Sequence, residues 1–143
     1  MRVMLDTNIL VSALLFSGET INTMMRMVTS EHKLVLSSYV VDELIDVTKR
    51  KFPGKTDTVE MLLNQLSYEL VESLDEQEDD LFNIRDIKDY PALYAAIKED
   101  IDIFITGDDD FNDVIIEKPE IMTAAEFVSR FNIEKRFIKK YQS

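Results

Sequence analysis

Short apolar runs alternate with amphipathic stretches along almost the whole chain. Five runs have the length and continuity of buried strands, at 3–5, 34–36, 68–71, 101–105 and 119–122. Between them, apolar residues recur every three or four positions, which predicts helices at 9–16, 19–30, 38–51, 56–66, 92–98 and 124–131. Alternation through short connections favours an α/β fold, a single α/β/α sandwich whose central, mostly parallel sheet has about five strands.

Composition agrees with one soluble domain. The chain has 143 residues, 45% of them hydrophobic and 31% charged, which is enough to bury a core. We assign residues 1–132 to the domain and 133–143 to a basic, amphipathic C-terminal tail. No apolar run approaches the ~18 residues of a membrane span, and the early Asp6 is unlike a signal peptide. The absence of cysteine excludes disulfides and thiolate metal sites, so we expect a cytoplasmic protein without a membrane contact.

Charge is abundant and unevenly distributed. The net charge of -12 argues against promiscuous binding to phosphate backbones, because nucleic-acid affinity comes largely from Lys and Arg. Many acids lie between 72 and 113, whereas basic residues cluster at 49–51 and at 135–140. Because the basic residues are separated from the acids, the basic part of the surface can still bind a polyanion.

Several acids stand where predicted strands end or where the following helices begin. Because the carboxyl ends of parallel strands meet at one edge of a sheet, where ligands bind in such folds, we expect these side chains to converge. The acids concerned are Asp6, Glu43, Asp89 and Asp108, with Asp86 and Asp110 as neighbours.

Simpler interpretations exist for the same acids. Asp6 is a good N-cap for the helix that follows it. Glu43 falls on the rim of an apolar helix face, where a solvated carboxylate near the N-terminus also interacts favourably with the helix dipole. The acidic stretch 72–80 is typical of a solvated loop. Convergence of the acids at one edge is the feature that separates a site from these alternatives.

Four carboxylates without a cation would repel each other, so a converging set predicts a divalent metal. All ligands are oxygen, which suits Mg²⁺ or Mn²⁺. The single histidine, His32, falls among polar residues in a predicted surface loop, which leaves no histidine or cysteine nucleophile near the acids. Metal-assisted hydrolysis of a phosphoryl compound by water is the reaction that this set favours.

Four segments, in this order, resemble the PIN-domain family. They are Asp6-Thr7-Asn8, the helix start from Ser37 and Ser38 to Glu43, Arg85 to Asp89 before the Pro91 helix, and Ile105-Thr106-Gly107-Asp108-Asp109-Asp110-Phe111. The resemblance spans nearly the whole chain and is greatest to the bacterial PIN proteins described as toxin components of toxin–antitoxin pairs. It implies an endoribonuclease that uses Mg²⁺ or Mn²⁺ to cleave single-stranded RNA, with an antitoxin protein as a partner.

The resemblance also implies roles for individual residues. The acidic quartet that holds the metal is Asp6, Glu43, Asp89 and Asp108, with Asn8 and Thr106 as polar supports and Asp110 as an additional acid. The sequence departs from the family at Tyr90, where relatives often have a second Asp, and at Ile87, where Pro is common. These departures leave Asp86 and Asp89 as alternatives for the third ligand.

Two other functions remain open from the sequence. One is a non-catalytic PIN-like interaction module. The other is a metal-dependent phosphatase, because haloacid-dehalogenase-like enzymes also place a nucleophilic Asp at a strand end, although their Asp-x-Asp motif needs an acid at Asn8.

Two predictions concern binding. Lys49, Arg50 and Lys51 are the predicted RNA contact, as a local basic cluster on an acidic chain. The partly apolar tail and the Met-rich second helix predict a homodimer, because they offer more apolar surface than a monomer of this size exposes.

Overall fold

The computed structural model describes residues 1–73, 77–78 and 80–132. Within these ranges a five-stranded sheet is flanked by six α-helices. The elements in chain order are β1 (Arg2–Leu5), α1 (Thr7–Leu15), α2 (Glu19–Glu31), β2 (Lys33–Ser37), α3 (Ser38–Lys51), α4 (Thr56–Gln65), β3 (Glu69–Val71), α5 (Tyr90–Lys98), β4 (Ile103–Ile105), β5 (Glu120–Met122) and α6 (Ala124–Phe131). There are also short 3₁₀ turns: Pro53–Lys55 precedes α4, Ile87–Asp89 precedes α5, and Asp109–Phe111 follows β4.

The strand order is β3-β2-β1-β4-β5, and every neighbouring pair is parallel. In the register, Val3 of the central β1 pairs with Leu34 on one side and Ile103 on the other. Both faces of β1 are covered, since Val3, Met4 and Leu5 are completely buried. The prediction of an α/β fold with a central parallel sheet is confirmed, and the sheet is parallel throughout.

Local sequence signals explain where the helices begin. Ser37 caps α3 by accepting a hydrogen bond from the backbone N–H of Val40 at 3.2 Å. Thr123 and Glu126 form a reciprocal capping box at the start of α6. Pro91 lies in the first turn of α5, where its missing N–H costs nothing. These starts fix which residues follow the strands at the carboxyl edge of the sheet.

Three expectations need correction or limitation. His32 is half-buried, because its ring packs edge-on against Phe127 of α6 with centroids 5.7 Å apart. Met24 and Met27 of α2 are buried, and α2 packs against α6, so the Met-rich helix does not supply the apolar surface that the homodimer prediction assumed. The tail 133–143, and with it the proposed domain boundary, lies outside the described residues.

Apolar runs of membrane-spanning length are not found among the helices of the described ranges.

Candidate metal centre

Asp6 occupies the carboxyl end of the central strand. Its backbone N–H continues the β1–β4 ladder by donating to the Ile105 carbonyl at 3.0 Å, and its side chain is buried, with 5% of the residue exposed. Oδ1 accepts from the Thr7 backbone N–H at 2.8 Å, and Oδ2 accepts from Thr106 Oγ1 at 2.9 Å. Asp6 therefore caps α1, as the simpler interpretation predicts, and also contacts the residue that follows β4.

The segment after β4 is organised around the Thr106 hydroxyl. This buried hydroxyl donates to Asp6 and accepts from the backbone N–H of Asp108 at 3.1 Å. Asp108 in turn caps the 3₁₀ turn after β4, since its Oδ1 accepts from the Asp110 N–H at 2.9 Å. One threonine thus fixes the relative position of the acids that leave two adjacent strands.

Glu43 approaches the same edge from α3. It is half-buried in the second turn of a helix that begins directly after β2. Burial raises the pKa of Asp6 above its ordinary range, and the nearby charges of Glu43 and Asp108 raise it further. The hydrogen bonds that Asp6 receives act in the opposite direction. Glu43 and Asp108 are therefore both close enough to Asp6 to affect its ionisation.

Asp89 ends the 3₁₀ turn that leads into α5, and it is only partly exposed. Burial raises the pKa of Asp89 to about 7, and the charges of Asp108, Asp6 and Asp86 add to that effect. Its Oδ2 is buried and has no hydrogen-bond partner among the described residues. A buried carboxylate oxygen without a donor requires either a proton or a cation beside it.

Asp86 and Asp110 extend the group outward. Carboxylate oxygens of Asp86, Asp89 and Asp110 all lie within 4.8 Å of one another. Asp86 is exposed and caps the turn before Asp89, through an Oδ1 that accepts from the Lys88 N–H at 3.0 Å. Arg85 approaches from the solvent side, with Nε 3.8 Å from Asp110 Oδ1.

These side chains form one group, which we call the acidic edge: Asp6, Glu43, Asp86, Asp89, Asp108 and Asp110. Within the described residues, the oxygens of Asp86, Asp89 and Asp110 are the ones close enough to share an ion. The other three acids are connected to them through their electrostatic effects on Asp6 and Asp89. Asn8 is exposed, and its side chain makes no hydrogen bond within the described ranges.

The basic cluster Lys49-Arg50-Lys51 lies away from the acidic edge. It forms the last turn of α3, about 9 Å or more beyond Glu43 along the helix axis at ~1.5 Å per residue. Arg50 pairs with Asp46 on the same helix at 3.2 Å, while Lys49 and Lys51 are exposed.

Tyr39 lies beside the acidic edge, and the sequence interpretation missed it. Its phenol donates to the Lys88 carbonyl oxygen at 2.9 Å. Burial raises the pKa of Tyr39 to about 12, with a hydrogen bond to Glu43 and the charge of Asp89 acting in the same direction. One signal could have found it, since Tyr39 and Glu43 are separated by four positions on one helix and therefore share a face.

The donor set fits a hard divalent cation. It consists of carboxylates, with the hydroxyls of Thr106 and Tyr39 among them, and hard cations prefer such oxygen ligands. The chain's single histidine contacts α6 and is not part of this set. Two buried side-chain oxygens have no hydrogen-bond partner in the described ranges, Thr7 Oγ1 and Asp89 Oδ2, and both belong to segments that carry these acids. Such a group can hold Mg²⁺ or Mn²⁺ and relieve its own repulsion by doing so.

Comparisons with known proteins agree with this architecture. The family model for the PIN domain matches residues 2–110, a range that contains the whole acidic edge. Among solved structures, the chain is similar to the crystal structure of VapBC2 from Rickettsia felis bound to a DNA fragment from their promoter, with a TM-score of 0.66 and 20% identity. That match covers 85% of this chain and 97% of the other. The comparison with curated proteins finds no match.

Proposed function

Because the chain belongs to the PIN-domain family, we propose that it is a metal-dependent endoribonuclease that cleaves single-stranded RNA. The observation that carries the proposal is the cluster of carboxylates at the carboxyl edge of the sheet, where three carboxylate oxygens lie within 4.8 Å of one another and Asp6 and Asp108 share the Thr106 hydroxyl. The uncompensated Asp89 oxygen supports it further, because such an atom is expected where a cation binds.

For the third ligand we favour Asp89 over Asp86. Asp89 interacts electrostatically with both Asp6 and Asp108, whereas Asp86 is exposed and its Oδ1 already caps a turn. Asp86 and Asp110 then lie at the outer side of the site, where Arg85 offsets part of the charge.

In this mechanism the protein supplies position and charge. A bound Mg²⁺ or Mn²⁺ ion supplies a water of lowered pKa and a positive charge against the phosphoryl oxygens. Asp6 is held for this role by hydrogen bonds from Thr7 and Thr106, and Asp108 by its contact with Thr106. The set lacks a cysteine or histidine nucleophile, so water is the attacking group that we propose.

The biological setting is proposed by analogy. The similar Rickettsia felis structure is described as VapBC2 bound to promoter DNA. By analogy with that structure, we propose that this chain is the toxin component of a toxin–antitoxin pair. Its partner would be an antitoxin protein, and its location the cytoplasm. A homodimer also remains a proposal, and it now rests on the tail 133–143 alone.

The experiment is an RNA cleavage assay on purified protein with Mn²⁺ or Mg²⁺ and an end-labelled single strand of mixed sequence. We expect cleavage that EDTA abolishes and that Asp6→Asn and Asp108→Asn each lower by at least about a hundredfold, the scale of losing one charge-stabilising group. Asp57→Asn, which removes an exposed acid at the start of α4, is the matched control and should cleave as the wild type does.

Two results would replace the proposal. Hydrolysis of p-nitrophenyl phosphate that Asp6→Asn abolishes, without RNA cleavage, would identify a phosphatase. Absence of both activities in protein that binds Mn²⁺ would favour the non-catalytic interaction module.

A further inference from the structure

Tyr39 connects two of the four segments that carry the acidic edge. It lies in the first turn of α3, four residues before Glu43, so both side chains leave the same face of that helix. Its phenol O–H donates at 2.9 Å to the carbonyl oxygen of Lys88, in the 3₁₀ turn that ends at Asp89. One side chain therefore bridges the helix that carries Glu43 and the turn that carries Asp89.

The backbone from which this bridge starts is itself fixed. The N–H of Tyr39 donates to Ser73 Oγ at 3.0 Å, and the N–H of Ser73 donates to Ser38 Oγ at 2.8 Å. This reciprocal pair joins the first turn of α3 to the segment that follows β3. A tyrosine ring has only two side-chain torsions, so the place of the hydroxyl follows closely from the place of the backbone.

The phenol faces the acids as a neutral donor. It carries one hydrogen, which it donates to the Lys88 carbonyl oxygen.

We propose that Tyr39 is a positioning residue that sets the separation of the Glu43 and Asp89 carboxylates and thereby the preference of the site for Mg²⁺ over Ca²⁺. The proposal rests on the proposed function only through its metal site. Mg²⁺ demands near-ideal octahedral geometry at short distances, whereas Ca²⁺ accepts longer and less regular sets of oxygens. Loosening the distance between two ligands should therefore weaken Mg²⁺ binding more than Ca²⁺ binding.

Calorimetric titration of Mg²⁺ and Ca²⁺ into RNA-free protein tests this. Tyr39→Phe keeps the ring and removes the hydroxyl, and we expect Mg²⁺ affinity to fall at least about tenfold, the lower end for losing an outer-sphere partner of a metal ligand. Ca²⁺ affinity should change less than about threefold in the same variant. Tyr68→Phe is the matched control, because Tyr68 is also partly buried and its hydroxyl has no hydrogen bond within the described ranges, and it should leave both affinities unchanged.

A double-mutant cycle separates positioning from a general loss of stability. In a Glu43→Gln background, Tyr39→Phe should lower Mg²⁺ affinity by less than about twofold, because one of the two ligands that it positions is already lost. Equal losses for both ions, an undiminished loss in that background, or wild-type affinities in Tyr39→Phe would overturn the inference while leaving the nuclease proposal in place. A wild-type protein that binds neither ion would overturn the inference and the proposed metal site together.

Discussion

At the scale of single residues, the site depends on a hydroxyl that serves two acids at once. Thr106 donates to Asp6 and accepts from the Asp108 N–H, and it is almost completely buried, with 4% of the residue exposed. An ionised buried carboxylate is stable only with such donors around it. Thr106 therefore favours the charged form of Asp6, against the burial that raises the pKa of that acid.

Thr106→Val is expected to weaken metal binding by removing this donor. The isosteric side chain leaves Asp6 Oδ2 and the Asp108 N–H without their partner, which should cost about 1–3 kcal/mol of stability and about tenfold in Mn²⁺ affinity. Calorimetry and urea denaturation measure the two effects. Thr106→Ser keeps the hydroxyl and should recover most of the affinity; a valine variant with wild-type affinity would contradict the role of Thr106.

Because of Asp89, we expect the stability of the metal-free protein to depend on pH. The pKa of this carboxyl group, about 7 in the folded chain, exceeds the ordinary 3.8, so its ionisation costs more in the folded state than in the unfolded state. The contribution of Asp89 to the free energy of unfolding is fully present below about pH 4, where its carboxyl group is protonated. It is lost as the pH rises through about 7. Since the group is partly exposed, solvent screening reduces the effect to about 1–2 kcal/mol.

Asp89→Asn should therefore be more stable than the wild type at pH 8 in EDTA, and equally stable at pH 4. Urea denaturation at both pH values measures the difference. Addition of Mn²⁺ at pH 8 should reverse the order, because the ion stabilises only a protein that binds it. Asp57→Asn serves as the control, and a destabilised Asp89→Asn at pH 8 in EDTA would contradict the assignment.

Sequence reasoning predicted the acids of the site better than their supports. Asp6 and Asp108 follow uninterrupted apolar strands, so the topology of a parallel sheet is enough to bring them together. The position of Tyr39 depends on its contact with Lys88, which is 49 residues away in the chain and carries no local signal. His32 was misjudged for the same reason, because the rings that cover it come from α6.

At the scale of elements, the starts of capped helices were more predictable than the first residue of strand β4. Ser37 and Thr123 are local capping signals, and each caps the helix that follows it. The predicted strand 101–105 is shorter, at Ile103–Ile105, because Asp100 takes a left-handed conformation with φ 54° and Ile101 belongs to the turn that follows α5. A left-handed Asp is a property of the turn as a whole, which apolar periodicity does not reveal.

Ser73→Ala tests how α3 is held at its N-terminus. The serine hydroxyl accepts the Tyr39 N–H, one of the free donors at a helix start, and its loss should cost about 1 kcal/mol of stability, as for other helix caps. Thermal unfolding of the metal-free protein measures the loss. Ser129→Ala, at an exposed position of α6, is the control; equal melting temperatures for Ser73→Ala and the wild type would show that this contact contributes nothing.

At the scale of the whole molecule, charge is arranged by edge of the sheet. At the amino edge, cations are paired with acids: Arg2 lies 3.2 Å from Glu69, and Lys118 lies 3.2 Å from Asp102. The acids that we call the acidic edge lie at the opposite, carboxyl end of the strands, with Arg85 beside them. Six of the 28 acids thus lie where a divalent cation is proposed to bind, and RNA must find its cations elsewhere on the surface.

The exposed Lys49 and Lys51 at the end of α3 are the cations predicted to meet the RNA backbone. In an Asp108→Asn background, chosen to prevent cleavage, Lys49→Glu and Lys51→Glu should each lower single-stranded RNA affinity about threefold to tenfold at low salt. Each should also reduce the slope of log affinity against log salt by about one, the signature of a lost phosphate contact. Fluorescence anisotropy across a salt series measures both quantities.

Metal binding should be unaffected by these charge reversals, because the cluster lies near or beyond the ~10 Å Debye length at 0.1 M salt from the acids. Arg26→Glu, at an exposed position of α2, makes the same charge change and is the matched control. If Arg26→Glu weakens RNA binding as much as the α3 variants do, RNA affinity depends on the net charge of the molecule and not on the cluster at the end of α3. A loss confined to Lys49→Glu and Lys51→Glu would instead mean that the strand crosses the end of α3 on its way to the acidic edge.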